Sequence, residues 1–281
     1  MFLPDKDFFI RRKTVLLTGE GREKVHTLKI TGTKVPELFS SENTIFESWT
    51  KINGFYGKIE NPKNKEEYWK NIESKLISFV NEKTNINFEG YSPDRRDVFD
   101  CEMFGGVPDG ESFNEKGRVD SILEIKTPNS EKFEVIKEKT FNAYLLQLGL
   151  YLYLRNLDTG YLCIIGLGKK WKIRGERLAS FLENNKEDAP IDVFCEGPRR
   201  TFLFSKFEEL NNSPFDFDIL ESRRYVSYGH ELHLLKVKID MSKYSKIIEK
   251  CSKWYQKYQY VSPKVDPFID DNFLDLLWKA R

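Results

Sequence analysis

Gly105-Gly106-Val107-Pro108-Asp109-Gly110, then thirteen residues, then Glu124-Ile125-Lys126 is the stretch on which the reading of this chain turns. Pro-Asp-Gly has turn chemistry, because Pro presets φ, Asp bonds nearby backbone and Gly accepts unusual dihedrals. Ser121-Ile122-Leu123-Glu124-Ile125-Lys126 reads as a strand halted by Thr127-Pro128. Strand side chains alternate between faces, so Glu124 and Lys126 share one face and Ile125 takes the other. The apolar run Phe99 to Val107 predicts a strand ending in the Pro108-Asp109-Gly110 turn, with residues 111–120 as the hairpin loop. Asp109 then sits at a strand end, beside a face that carries a carboxylate and an ammonium.

Two carboxylates that converge can hold a hard divalent cation, which prefers oxygen ligands and keeps several waters. The peptide carbonyl of Ile125 offers a further oxygen. An ammonium two residues on can hold an attacking water or offset phosphoryl charge. That set suits metal-assisted hydrolysis of a phosphodiester. A plainer reading stands beside it: Pro-Asp-Gly is a common turn, and Glu-x-Lys on a strand is often a solvated pair.

Outward from the hairpin, Trp69, Ile72, Leu76, Phe79 and Val80 recur at helical spacing, predicting a helix over 66–83 that carries Glu73. Phe141, Leu145, Leu148 and Leu152 predict another over 131–156, carrying Gln147 with Tyr144 and Tyr151 at i−3 and i+4. Between and beyond these lie strand-like runs at 161–166, 190–204 and 233–239. The near-continuous apolar run 161–166 suits a strand buried on both faces. The chain closes with a helix over 241–260, placing Ile247, Cys251, Trp254 and Tyr258 on one stripe. Lys246, Lys250, Lys253 and Lys257 interleave with its aromatics, either as a nucleic-acid-facing strip or as lysines snorkelling out from a packed face. The order implies an α/β fold in one domain, residues 1–281: an entry segment 1–65, a catalytic core 66–170 and a C-terminal extension 171–281.

Composition narrows the class. The 281 residues include 45 Lys+Arg and 44 Asp+Glu, a net charge of +1, with 40% hydrophobic and 32% charged. That balance excludes disorder of the whole chain and a polycationic tail, so any nucleic-acid contact must come from a local patch. No apolar run reaches membrane-spanning length, and Met1-Phe2-Leu3-Pro4-Asp5-Lys6-Asp7 lacks the pattern of a signal peptide, so a cytoplasmic protein is expected. Cys101, Cys163, Cys195 and Cys251 are too dispersed for a zinc ribbon or an iron–sulfur cluster. His26, His230 and His233 show no metal-ligand spacing.

The pattern Glu73 … Gly106-x-Pro108-Asp109-Gly110 … Glu124-Ile125-Lys126 … Gln147-x-x-x-Tyr151 resembles the PD-(D/E)XK nuclease superfamily, in its lambda-exonuclease and YqaJ-type viral recombinase branch. His26 to Thr33 looks like the entry motif of that branch, and Asp240-Met241 through Trp254 like its closing helix. The resemblance implies a restriction-endonuclease-like α/β core, a central mixed sheet flanked by helices. It implies that Asp109, Glu124, the Ile125 carbonyl and Glu73 hold Mg²⁺ or Mn²⁺. Lys126 would position the water, Gln147 support the site, and Lys29, Thr33 and Tyr151 meet the DNA. It also implies a 5′-to-3′ exonuclease on duplex ends, a trimeric ring and a single-strand annealing protein as partner. Lys29 and Thr33 stand where the branch has Arg and Ser, which removes the bidentate guanidinium, and residues 111–120 make a longer hairpin loop. An endonuclease of the same superfamily and an inactive DNA-binding module on the same fold are the alternatives.

Overall fold

The computed structural model describes residues 5–11, 14–24, 29–39, 42–53, 63–92, 95, 97–127, 138–166, 195–196, 215–227 and 230–264. They fall into two compact units: residues 1–61, 97–106 and 245–281 form one, and 62–96 with 107–244 the other.

The second unit is built on a mixed sheet. Its strands are β5 (Gly110–Phe113), β6 (Val119–Lys126), β7 (Thr159–Gly166), β8 (Cys195–Glu196), β9 (Phe217–Ser227) and β10 (His230–Ile239). Across the sheet they run β5-β6-β7-β10-β9-β8. Only β6 and β7 pair in parallel, because the helix Glu138–Arg155 crosses over between them. Leu123 and Ile125 of β6 join Tyr161, Cys163 and Ile165 of β7 in a cluster with Leu76, Phe79 and Val80 of the helix Lys63–Thr84. That helix covers one face. The helix Glu138–Arg155 lies over the opposite one, where Leu148 and Leu152 close on Gly160 of β7. Both helices end at an asparagine in the left-handed region, Asn85 at φ 56° and Asn156 at φ 57°, a conformation Asn tolerates better than most residues.

The helices and strands expected around the motif are present, residues 131–137 of the second expected helix lying outside the described residues, and the architecture is α/β with a central mixed sheet flanked by helices. Two expectations are corrected. Phe99 to Val107 is not the first strand of the hairpin; only Phe104–Gly105 (β4) is extended, and it pairs in parallel with Ile30–Thr31 (β3) in the first unit. The first hairpin strand instead follows the turn, and residues 111–113 and 119–120 are strand on either side of a turn spanning residues 114–118. An apolar run reads alike in either place, and its pairing partner is remote in sequence. The strand Phe217–Ser227 escaped the sequence reading because its charged, largely exposed residues disguise its pairing along β10. Of the expected strand at 190–204, only Cys195–Glu196 lies within the described residues.

In the first unit, β1 (Phe8–Arg11) and β2 (Thr14–Leu17) pair antiparallel. Phe8, Val15 and Leu17 bury with Phe46 and Trp49 of the helix Glu42–Ile52, and Trp254, Tyr258 and Tyr260 pack against them. Two of the three glycines of the quoted stretch, Gly105 and Gly106, also find their reason here. A Cβ on Gly105 would fall 2.6 Å from Lys29 Cδ, and Gly106 holds φ 126°, which side chains resist. Among the described residues no helix is long and apolar enough to cross a membrane.

Candidate active site

The site is assembled by strand register. Gly110 of β5 pairs with Leu123 of β6, so one step further along the hairpin Asp109 comes opposite Glu124. The Asp109 carboxylate accepts a hydrogen bond from the Ile125 amide at 2.6 Å, which ties the turn to the partner strand. Two residues on, Lys126 Nζ lies 2.6 Å from Glu124 Oε2. The Glu124 side chain is 0% exposed and that of Lys126 14%. Asp109, Glu124 and Lys126 are thus brought together, with the backbone of Ile125 between them.

Burial dominates the electrostatics. It pushes the Glu124 carboxyl up from 4.5 to about 8, opposed by Lys126 and assisted by the negative charges of Asp109 and Glu73. Burial also raises Asp109, against Lys126 and the Ile125 amide. For Lys126 burial works the other way, but Glu124 and Asp109 outweigh it and hold the ammonium above its ordinary value. Burial raises both carboxylates because their negative charges are poorly solvated there, and a cation held between them would supply the compensation that favours the ionised forms. The oxygen Glu124 Oε1 is buried and has no hydrogen-bond partner among the described residues. Native structures seldom leave such an atom unsatisfied. An oxygen-seeking divalent cation fits that donor set. Among the described residues no three His, Cys, Asp or Glu side chains form a ready-made cage, so water, phosphate and the Ile125 carbonyl would complete the coordination.

The helices supply the surroundings. Glu73 is half-buried on the helix Lys63–Thr84, near enough for its charge to act on Glu124. On the helix Glu138–Arg155, Tyr144 and Gln147 are half-buried and Tyr151 is buried. Burial raises the Tyr144 hydroxyl, with the Lys126 charge opposing, which brings this helix to the edge of the site. Lys29 and Thr33 belong to the first unit. Lys29 donates to the Asp97 carboxylate and, at 2.9 Å, to the Phe99 carbonyl. Thr33 is exposed, its Oγ1 3.2 Å from that of Thr31.

The sequence reading missed a second charged cluster on the same face. Glu111 is 0% exposed. It receives Arg155 Nε at 2.8 Å and Arg155 Nη2 at 3.0 Å, and the Tyr91 hydroxyl also donates to it. Burial and the Glu111 carboxylate push that hydroxyl up to about 12. A signal existed: the stripe Tyr144, Gln147, Tyr151 extends by one more turn to Arg155, and Glu111 alternates with Asp109. Replacing Glu111 by Ala removes the buried carboxylate to which both the guanidinium and the hydroxyl donate, and the unfolding free energy should fall by about 3–5 kcal/mol. Chemical denaturation at pH 7 checks this; a change under ~1 kcal/mol would mean that water replaces the carboxylate at no cost.

Fold and site together define a mixed α/β protein with a buried carboxylate–lysine centre at the mouth of a β-hairpin. No family model matches the chain. It is 27% identical over 270 residues to the uncharacterized protein MG373 of Mycoplasma genitalium, spanning 90% of this chain and 89% of that one. It is 29% identical over 204 residues to the MG373 homolog of Mycoplasma pneumoniae, spanning 56% of this chain and 72% of that one. Among solved structures, a phage-related exonuclease from Haemophilus somnus superposes with a TM-score of 0.44 and 11% identity, over 83% of this chain and 96% of that one.

Proposed function

We propose that this chain is a divalent-cation-dependent deoxyribonuclease, working as a 5′-to-3′ exonuclease on linear duplex DNA in recombination. The observation that carries the reading is the convergence of Asp109, Glu124 and Lys126, with Glu124 Oε1 buried and unpartnered among the described residues. Structural ion pairs are normally closed; this one keeps an oxygen lone pair in reserve beside a second carboxylate.

Asp109 and Glu124 would hold Mg²⁺ or Mn²⁺, with the Ile125 carbonyl as a further oxygen and Glu73 reaching the site directly or through water. When bound, the cation supplies Lewis-acid polarisation of the phosphoryl group and acidifies water. Lys126 donates from Nζ to orient the attacking water and offsets charge that develops on the phosphoryl oxygens. The Asp109 carboxylate is aimed by the Ile125 amide, so it need not reorganise as the reaction proceeds. Gln147 would support the site from the helix Glu138–Arg155, and Tyr151, Lys29 and Thr33 would meet the DNA. The exonuclease assignment, the trimer and an annealing-protein partner rest on the resemblance of the entry and closing segments.

The test is digestion of linear duplex labelled at one 5′ end beside the same DNA as a closed circle, in Mg²⁺, Mn²⁺ or EDTA. Loss of the linear DNA alone from its 5′ ends, abolished by EDTA, is the expected result. Cutting of the circle would make the chain an endonuclease. Binding without cleavage in either metal would make it an inactive module.

A further inference from the structure

The closing helix Met241–Tyr258 is capped by Asp240, whose carboxylate accepts from the Ser242 amide at 2.9 Å. Its apolar residues turn inward: Ile247, Ile248 and Cys251 are buried, and Trp254 and Tyr258 pack against the first unit's core. Lys246, Lys250, Lys253 and Lys257 are all exposed. At i, i+4, i+7 and i+11 they fall in one narrow stripe about 16 Å long. Lys253 pairs with Glu249. Among the described residues no ion pair engages Lys246, Lys250 or Lys257, and Lys257 Nζ sits 4.8 Å from the Tyr258 ring centre. A chain whose net charge is only +1 thus concentrates uncompensated cations along one helix face.

We infer that this lysine stripe binds the phosphate backbone of duplex nucleic acid. A row of ammoniums needs a partner of comparable charge density, and a duplex presents one phosphate charge per ~1.7 Å of axis. An anionic membrane is a poorer match, because an interfacial helix must bury its apolar face in lipid, and here that face is already committed to protein. Single-strand binding by base stacking is a poorer match too. It needs exposed aromatic platforms, whereas Trp254 and Tyr258 are packed on the core. The contact is electrostatic and sequence-independent, and it stands whether or not the chain cuts DNA.

Full-length protein in EDTA, titrated against a labelled 30-base-pair duplex at several NaCl concentrations, tests it. The triple variant Lys246→Gln, Lys250→Gln, Lys257→Gln removes three contacts. The slope of log affinity against log salt should become less negative by about 2–3, with affinity near 0.1 M salt falling tens- to hundreds-fold. A control triple, Lys6→Gln, Lys116→Gln, Lys238→Gln, removes equal charge from other exposed positions and should leave the slope within one unit. An unchanged slope in the stripe variant overturns the inference, as does an equal loss in the control or failure of the wild type to bind duplex. Stronger stripe-dependent binding to single strand or to anionic vesicles overturns it in favour of those partners. Cleavage is silent in EDTA, so a failure here is distinct from a failure of the nuclease reading.

Discussion

Replacing Lys126 by alanine is expected to cut the rate of metal-dependent cleavage by about 10³-fold, the scale of losing one preorganised electrostatic donor in a dry site. Its side chain is only 14% exposed and its ammonium sits 2.6 Å from Glu124, so a water molecule is a poor substitute for it in that geometry. The substitution has a second effect in the same direction. Without the ammonium, Glu124 loses the charge that opposes its upward shift and takes up a proton more readily. Single-turnover digestion of linear duplex in saturating Mg²⁺ measures the loss. Lys126→Arg should recover little of it, because a planar fork cannot stand where a compact ammonium stood. Rates within ~3-fold of wild type for the alanine variant would assign Lys126 to charge balance alone, well short of a lost catalytic donor.

Glu124→Gln is expected to separate stability from metal binding. In the folded, metal-free protein the Glu124 carboxyl lies near 8, against 4.5 when unperturbed. Between those values the folded state holds a proton that the unfolded state has released. Stability is therefore fully present below about 4.5 and is lost as pH rises through about 8, by on the order of 3–5 kcal/mol. Gln cannot ionise, so most of the loss between pH 5 and 8.5 should vanish in the variant. The wild type should regain stability at pH 8.5 when Mg²⁺ is added, by ~1.4 kcal/mol at tenfold excess over the dissociation constant; the variant should not. Thermal melts at the two pH values, with and without Mg²⁺, contain all four comparisons. An equal magnesium shift in both proteins would remove Glu124 from the metal site. Cleavage by the variant should fall about 10³-fold, as for Lys126→Ala.

The strand carrying Glu124 and Lys126 was legible because its pattern is local. Alternation along Ser121 to Lys126 put Glu124 and Lys126 on one face, and the structure has them bonded there. Helical spacing located the helices carrying Glu73 and Gln147. The strand assigned to Phe99–Val107 failed because an apolar run does not say what it pairs with. Phe104 pairs with Ile30, and no pattern within either segment points to the other. Lys29 was legible as a cation, but its partner Asp97, 68 residues away, was not.

By itself the sequence determined which residues alternate or recur along each element, and hence that Glu124 and Lys126 would share one face of a strand. Tertiary structure alone decided what surrounds them. It set the parallel pairing of β6 with β7, the burial that lifts Glu124, and the Arg155–Glu111 bridge between groups 44 residues apart. It also turned the aromatics of the closing helix inward and left its lysines outside. The reason is physical: periodicity follows from the dihedrals of neighbouring residues, whereas pKa, burial and register depend on which distant segments exclude water from one another.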